Sequence, residues 1–183
     1  MFTITVVTGN EGKAAEASSY FSGIAKVLHV KMDLLEMKSN DPGEIAKGKA
    51  VLAYERLKEP LIVDDTGFFI EALSGFPGAY AAYVLDTIGM DGVLRLMEGE
   101  KNRNAYFETA IAYADSEGVF VFKGRIDGFV ADAPRGSFGF GYDPIFEVAG
   151  RTFAETDISE KSLISHRGRA LSSFKDWFLI NRA

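Results

Sequence analysis

Two adjacent aspartates interrupt an apolar segment that reads LIVDDTGFFI from Leu61 to Ile70. Burying carboxylates costs free energy unless a metal ion, a cation or a reacting group compensates their charge. Because successive strand residues point to opposite faces of a sheet, Asp64 and Asp65 are predicted to have different roles. One can ligate a metal ion or polarise water, while the other supports a loop or a lysine. A strand-end cap beside a surface aspartate also fits, whereas an aspartyl nucleophile of the dehalogenase type would require Asp-x-Asp.

A glycine-containing turn, TGNEGK from Thr8 to Lys13, links a predicted strand to a predicted helix. Free backbone N–H groups at a helix start, with a lysine one turn further on, are typical of an anion site. The turn is not a Walker A loop, since its glycines are too close together and Ala14 follows the lysine. A capped turn with a solvated lysine would explain the same residues.

Two further segments combine aromatic, glycine and basic residues. The segment GSFGFGYDPIF, from Gly136 to Phe146, can expose flat rings for stacking on a heterocyclic base, although an aromatic bulge in the core fits as well. The segment EKSLISHRGR, residues 160–169, places potentially cationic side chains near the predicted start of the last helix. Positive charge at the start of a helix is unfavourable beside the helix dipole unless an anion lies nearby, so these residues indicate an anion site. Alternatively, they form a solvated basic face of the helix.

These segments must be positioned by alternating strands and helices. Hydrophobic periodicity predicts strands at residues 2–8, 24–30 and 61–65, and helices at residues 13–21, 44–57, 91–97 and 159–180. Two long β-rich runs predict a hairpin, and a further segment is β-prone: residues 105–114, 119–130 and 138–148. We therefore expect an α/β fold, with a mixed sheet flanked by helices, in a single domain spanning residues 1–183.

The composition limits the classes of function. The chain of 183 residues has a formal net charge of −6 and no cysteine, which excludes disulfides, thiolate metal sites and cysteine nucleophiles. Its apolar runs are shorter than the ~20 residues of a membrane helix. The acidic charge argues against sequence-independent binding to nucleic acid. We expect a cytoplasmic protein without membrane or nucleic-acid partners, in which a pocket for an anionic ligand is locally basic.

Four motifs occur in order across nearly the whole chain: TGNEGK, VDDTG followed by EALSGFPGAY, FGFGYDPIF and EKSLISHRGRAL. Together they resemble the inosine triphosphate pyrophosphatase family. The resemblance implies an elongated mixed α/β fold with two lobes around a central cleft, assembled as a homodimer. It also implies Mg²⁺-dependent hydrolysis of ITP, dITP and XTP to the monophosphate and pyrophosphate, which cleanses the nucleotide pool.

The resemblance also implies roles for single residues. Asp65 is implied as the general base and, with Glu36, as a ligand of Mg²⁺. The residues implied to bind substrate are Thr8, Gly9, Asn10, Glu11, Gly12, Lys13, Lys49, Thr66, Phe140, Gly141, Tyr142, Asp143, Lys161, His166 and Arg167. Two positions depart from the family pattern. Thr66 replaces a common serine, and no arginine lies near Ala82, which bears on a local contact or the dimer surface rather than on the reaction.

The chemistry of these residues agrees with the implied reaction. Mg²⁺ prefers carboxylate and phosphate oxygens, and an aspartate with the ordinary pKa of about 3.9 is ionised at neutral pH. Arg167 only donates hydrogen bonds, so it can satisfy a 6-oxo group but not the 6-amino group of adenine. Two alternatives stay open. One is a related pyrophosphatase acting on modified pyrimidine triphosphates, dUTP or dTTP; the other is a nucleotide sensor that binds without cleaving.

Overall fold

The computed structural model of the protein describes residues 2–182, and its strands form one mixed sheet. The strands are β1 (Phe2–Val7), β2 (Ala25–Val30), β3 (Leu61–Ile70), β4 (Pro77–Gly78), β5 (Asn104–Asp115), β6 (Gly118–Val130), β7 (Phe146–Val148) and β8 (Arg151–Thr152). The order across the sheet is β2-β1-β3-β5-β6-β7-β8, and β4 pairs with β3. Strand β1 runs parallel to β2 and β3, and the other pairings are antiparallel. The expected mixed α/β sheet is therefore confirmed.

Helices cover both faces of this sheet. They are α1 (Glu11–Tyr20), α2 (Pro42–Leu57), α3 (Ala81–Thr87), α4 (Gly89–Leu96), α5 (Ile158–Ile164) and α6 (His166–Asn181). On one face Phe174 of α6 packs with Ile62 of β3, and on the other Ala50 of α2 packs with Val63. Neighbouring residues of β3 thus join different cores, as the alternation of side chains along a strand requires. Helices α3 and α4 close a third apolar cluster at the far end of β3.

Strand β3 is longer than the sequence predicted, and this changes the setting of the two aspartates. All ten of its residues pair with β5, from Leu61 opposite Ala114 to Ile70 opposite Ala105. The predicted strand end at Asp65 is therefore wrong, because pairing with the long neighbouring strand carries β3 through the polar residues. Asp64 and Asp65 lie in the middle of a buried strand rather than at its end.

Two other predicted elements differ in the structure. The single helix predicted for residues 159–180 is divided at Ser165, whose hydroxyl accepts the N–H of Gly168 at 3.1 Å and caps α6. The β-prone segment 138–148 forms a strand only over residues 146–148, because positive φ angles at Gly139 and Gly141 bend the preceding chain. Helix α3 was not predicted.

The other predicted strands and helices are confirmed, with ends displaced by one to two residues in most cases. The hairpin of β5 and β6 turns at Asp115–Gly118, as its turn residues indicated. No helix within residues 2–182 combines the length and the apolar character that crossing a membrane requires.

Candidate active site

A cavity of about 540 Å³ brings most of the implied site residues together. This volume suits a small-molecule ligand. The implied residues that line it are Thr8, Gly9, Asn10, Lys13, Glu36, Lys49, Asp65, Thr66, Phe140, Gly141, Tyr142, Asp143, Lys161, His166 and Arg167. Glu11 and Gly12 do not line the cavity: Glu11 is exposed at the start of α1, and Gly12 packs against the ring of Phe140.

The turn between β1 and α1 is held by its own side chains. Asn10 caps α1 by accepting the N–H of Lys13 at 3.1 Å, and the Thr8 hydroxyl accepts the N–H of Asn10 at 3.1 Å. The imidazole of His29 lies 2.9 Å from the carbonyl oxygen of Thr8 and ties the turn to β2. The turn therefore holds Thr8, Gly9, Asn10 and Lys13 at the wall of the cavity, where the start of α1 and the charge of Lys13 would favour an anion.

Asp64 is a buried anchor for cations from both ends of the chain. Its Oδ2 lies 3.2 Å from the ammonium of Lys13 and 3.1 Å from Nε of Arg167. Burial alone would raise the pKa of Asp64, but the charges of Lys13, Arg167 and Lys49 outweigh burial and lower it to about 2. Asp64 is therefore ionised at neutral pH, and it supports the cations around it.

The guanidinium of Arg167 is held on three sides. Nε donates to Asp64, one terminal nitrogen donates to Glu16, and the other donates to the Thr66 hydroxyl at 3.0 Å. The hydroxyl of Thr66 in turn lies 2.6 Å from that of Thr109. Since a guanidinium has five N–H donors, these contacts orient the group and leave two donors for a ligand.

Glu16 of α1 joins two cations from the last helices. Its carboxylate accepts from Lys161 at 2.5 Å and from Arg167, and all three side chains are buried. Burial raises the pKa of Glu16, but the charges of Arg167 and Lys161 outweigh burial and lower it. Lys161 also donates to Asp143 at 2.5 Å, and Asp143 accepts the N–H of Phe140 at 2.8 Å. This chain of contacts orients the loop that carries Phe140.

Asp65 points to a different set of partners from Asp64. The ammonium of Lys49 lies 3.4 Å from Asp65 Oδ1 and 2.9 Å from Glu36 Oε1, so the two carboxylates share one cation. Burial raises the pKa of Asp65 to about 6, because Lys13 and Lys49 offset burial only in part and Glu36 and Asp64 add negative charge. The ordinary aspartate pKa assumed from the sequence is therefore too low.

The carboxylates of Asp65 and Glu36 fit a hard divalent cation. The second oxygen of Asp65, Oδ2, is buried and has no hydrogen-bond partner within residues 2–182. An unsatisfied buried carboxylate oxygen with a raised pKa is a site where a cation would relieve unfavourable charge. The described part of the chain has no group of three or more carboxylate or imidazole side chains placed to hold a metal. A metal here would depend on one or two carboxylates together with substrate oxygens, as is common for Mg²⁺.

Aromatic rings also line the cavity. His166 stacks on Phe107 with ring centroids 4.6 Å apart, and its Nδ1 is buried without a partner in the described chain. Burial, followed by the charges of Arg167 and Lys161, lowers the pKa of His166 well below its ordinary value, so the imidazole is neutral. Tyr142 donates its hydroxyl to the carbonyl of Ala81 at 2.8 Å and fixes α3 beside the cavity.

Several residues of this site were not identified from the sequence. Glu16 follows Lys13 by three residues on α1, which places both on one side of the helix and could have indicated a shared role. The partners of Asp64 carry no such local signal, since Arg167 is 103 residues away. Phe107 and Thr109 lie in a β-rich run with nothing to distinguish them from core residues.

Comparisons with known proteins identify the family of this chain. The Ham1 family model matches residues 4–177. The chain is 48% identical over 181 residues to the dITP/XTP pyrophosphatase of Thermococcus kodakarensis, a match that covers 97% of this chain and 98% of that protein. It is 41% identical over 181 residues to the inosine triphosphate pyrophosphatase 1 of Trypanosoma cruzi, covering 97% and 92% of the two chains.

Solved structures show the same fold. The HAM1 protein of Coxiella burnetii superposes with a TM-score of 0.84 at 30% identity, covering 98% of this chain and 100% of that one. The Ham1 protein of Staphylococcus aureus gives a TM-score of 0.82 at 29% identity, covering 97% and 100%. The resemblance drawn from the four motifs is thus confirmed, and the chain belongs to the Ham1 family.

Proposed function

We propose that this protein hydrolyses deaminated purine nucleoside triphosphates, ITP, dITP and XTP, to the nucleoside monophosphate and pyrophosphate. The observation that carries this function is the arrangement of the cavity, in which cations and paired carboxylates lie together with an oriented arginine and aromatic rings. Relatives up to 48% identical over nearly the full length bear the name dITP/XTP pyrophosphatase. The reaction would remove unwanted nucleotides from the pool.

The phosphate end would be formed by the capped turn at Thr8–Lys13 and by Lys49. Backbone N–H groups at the start of α1 and the two ammonium groups offer charge complementary to a triphosphate. Lys13 and Lys49 are themselves anchored by Asp64 and Asp65, so their ammonium groups are held in place before substrate arrives. Such preorganisation lowers the ordering cost of binding.

Asp65 would be the general base for attack of water on the α-phosphorus. With a pKa of about 6 in the metal-free protein, most Asp65 side chains are ionised at pH 7, so the carboxylate is available to accept a proton. Burial raises the basicity of the carboxylate because it disfavours the charged form. The buried strand also holds the carboxylate in a fixed position. Lys49 would hold the base in position through its contact with Oδ1.

Asp65 and Glu36 would hold Mg²⁺. When bound, Mg²⁺ would neutralise phosphate charge and stabilise the leaving pyrophosphate. The single ammonium group of Lys49 contacts both carboxylates and offsets part of their charge. The exposed side chain of Glu36 can follow a ligand more easily than that of Asp65, which lies within the sheet.

Selectivity for the base would come from Arg167. Its guanidinium, held by Glu16, Asp64 and Thr66, can offer its remaining donors to a 6-oxo group. The 6-amino group of adenine is itself a donor and would leave these groups unsatisfied, at a cost of roughly 1–3 kcal/mol. The aromatic residue Phe140 and the neutral imidazole of His166 would contact the base from the neighbouring loop and helix.

A substrate panel tests this function. The protein is incubated with ITP, dITP, XTP, ATP, GTP and dUTP in the presence of Mg²⁺, and release of pyrophosphate is measured. We expect turnover of the first three and much less of ATP. Preference for dUTP would support the pyrimidine alternative, and tight binding of ITP without turnover would support a sensor. Release of orthophosphate as first product would contradict the proposed bond cleavage.

The variant Asp65→Asn is the control for catalysis by this site. It keeps the shape of the side chain, so we expect loss of turnover by at least about a hundredfold while dITP still binds. Retention of most activity would refute the role of Asp65 without refuting the substrate class. A homodimer and a cytoplasmic location stay predictions, which sedimentation of the purified protein and imaging of a tagged chain would test.

A further inference from the structure

Five cationic side chains line the cavity, and four of them are neutralised by carboxylates. Lys13 pairs with Asp64, and Lys49 pairs with Glu36 and Asp65. In the last two helices, Lys161 pairs with Glu16 and Asp143. Arg167 pairs with Glu16 and Asp64. The fifth is Lys31. Within residues 2–182, no carboxylate oxygen lies within 4.0 Å of the ammonium nitrogen of Lys31, the distance limit for an ion pair.

The position of Lys31 places it beside the phosphate turn. It follows directly after β2, whose last residue, Val30, accepts the N–H of Thr8 through its carbonyl oxygen at 3.1 Å. Lys31 lines the same cavity as Thr8 and Asn10 while its side chain is exposed. Asp33 also lines the cavity two residues further on, but it does not form an ion pair with Lys31.

The charge of the site makes this lysine significant. The cations paired with buried carboxylates contribute little net field, because each opposite charge lies within a few ångströms. A nucleoside triphosphate brings several negative charges, which the neutralised cations alone do not balance. Lys31 is the lining cation of the described chain whose charge is not already compensated, so it can attract and hold a polyphosphate without breaking an existing ion pair.

We propose that Lys31 is a further substrate-binding residue, whose ammonium group contacts the polyphosphate of the substrate. This inference rests on the proposed function for the identity of the substrate, but its polyphosphate contact can be measured separately. Lys31 acts on binding rather than on the reacting atoms, since it lies outside the cluster of Asp65, Glu36 and Lys49.

The test compares Lys31→Met with Lys26→Met. Lys26 is an exposed lysine of the same strand region that does not line the cavity, so its substitution removes an equal charge. For Lys31→Met we expect KM for dITP to rise roughly two- to fivefold, from an exposed charge contact, with kcat changed less than about twofold. Lys26→Met should leave both constants unchanged, and Lys31→Arg should restore most of the loss.

Two further readouts separate a phosphate contact from a structural effect. Calorimetry with inorganic triphosphate, which has no base or sugar, should show the same loss of affinity for Lys31→Met. The dependence of KM on KCl should be weaker in this variant than in the wild type, because salt screens the removed charge. Thermal stability should be unchanged, since Lys31 is exposed.

The outcomes distinguish this proposal from the proposed function. If Lys31→Met and Lys26→Met behave alike toward dITP and inorganic triphosphate, the role of Lys31 is overturned while the hydrolytic function stands. If the wild type hydrolyses none of the nucleotides but binds inorganic triphosphate through Lys31, the hydrolytic function is overturned and the polyphosphate contact stands.

Discussion

Oδ2 of Asp64 lies 3.1 Å from Nε of Arg167, an ion pair that joins the middle of β3 to the first turn of α6 across 103 residues of the chain. Asp64 also pairs with Lys13, so one buried carboxylate connects the phosphate turn to the arginine proposed to select the base. The neighbouring Asp65 has a raised pKa and an unsatisfied oxygen. Two adjacent aspartates are therefore in opposite electrostatic environments.

The first prediction concerns Asp64. Asp64→Asn should lower the free energy of unfolding by about 3 kcal/mol, because it leaves Lys13 without its carboxylate partner and Arg167 with Glu16 alone. Since the pKa of Asp64 is lowered to about 2, its stabilising contribution should be present above about pH 4 and lost as the pH falls toward 2. Urea unfolding at pH 7 measures the effect, and a stability equal to that of the wild type would contradict it.

Asp65 should behave in the opposite way in the metal-free protein. Its pKa is raised from an ordinary value of 3.8 to about 6, so the ionised carboxyl is less stable in the folded than in the unfolded state. This penalty is absent below about pH 4 and complete above about pH 6. Asp65→Asn should therefore stabilise the protein at pH 8 by up to roughly 3 kcal/mol and have little effect at pH 4.

Urea unfolding in the presence of EDTA, at pH 4, 6 and 8, measures this dependence on Asp65. Destabilisation by Asp65→Asn at pH 8 would contradict this prediction, because it would show that burial does not determine the pKa of Asp65. Mg²⁺ added without EDTA and together with inorganic triphosphate should stabilise the wild type more than the variant, since a ligand that binds only the folded state stabilises it by mass action.

The third prediction concerns Glu16, which balances Lys161 and Arg167. Glu16→Gln keeps the shape of the side chain but removes its charge, so we expect destabilisation by roughly 3–5 kcal/mol. In protein that remains folded, KM for dITP should rise more than the dissociation constant for inorganic triphosphate, because the affected cations lie at the base end. Glu55→Gln, at an exposed glutamate of α2, is the control and should match the wild type. Equal losses of affinity for dITP and for inorganic triphosphate would instead indicate that Glu16 supports the cations that bind phosphate.

The fourth prediction concerns the contact between Gly12 and Phe140. A Cβ at Gly12 would lie 2.5 Å from Cδ1 of Phe140, so Gly12→Ala must displace the ring. Alanine is otherwise favourable in a helix, by up to about 1 kcal/mol. We expect a variant as stable as the wild type, with KM for dITP raised roughly fivefold through the lost stacking position.

Two controls test this interpretation of Gly12. Gly48→Ala introduces the same change in α2, where the new Cβ would make only an ordinary contact with Met37 at 3.5 Å, and it should leave KM unchanged. In a Phe140→Leu background the effect of Gly12→Ala on KM should largely disappear, since the effects of substitutions at contacting residues are not additive. Additive effects would mean that Gly12 acts independently of the ring.

Local sequence patterns were sufficient for much of the fold. Strand β1, helix α2 and the hairpin of β5 and β6 were predicted because alternation, helix-forming residues and turn residues act over a few neighbours. The end of β3 was missed because it depends on pairing with the long strand β5, which lies far away in the sequence. The break at Ser165 was missed although its signal is local, since Ser165 caps the N–H of Gly168 three residues further on and Gly168 packs against the carbonyl of Ser162.

The sequence by itself determined which residue types are available to the site, since the four motifs and their order identify the family and most of the residues that line the cavity. Only the tertiary structure decided which charges are paired. It placed Glu16 between two cations, gave Asp64 and Asp65 opposite pKa shifts and left Lys31 without a carboxylate partner among residues 2–182. The physical reason is that electrostatic energies depend on burial and on distances of a few ångströms between groups far apart in the chain, which local periodicity does not encode.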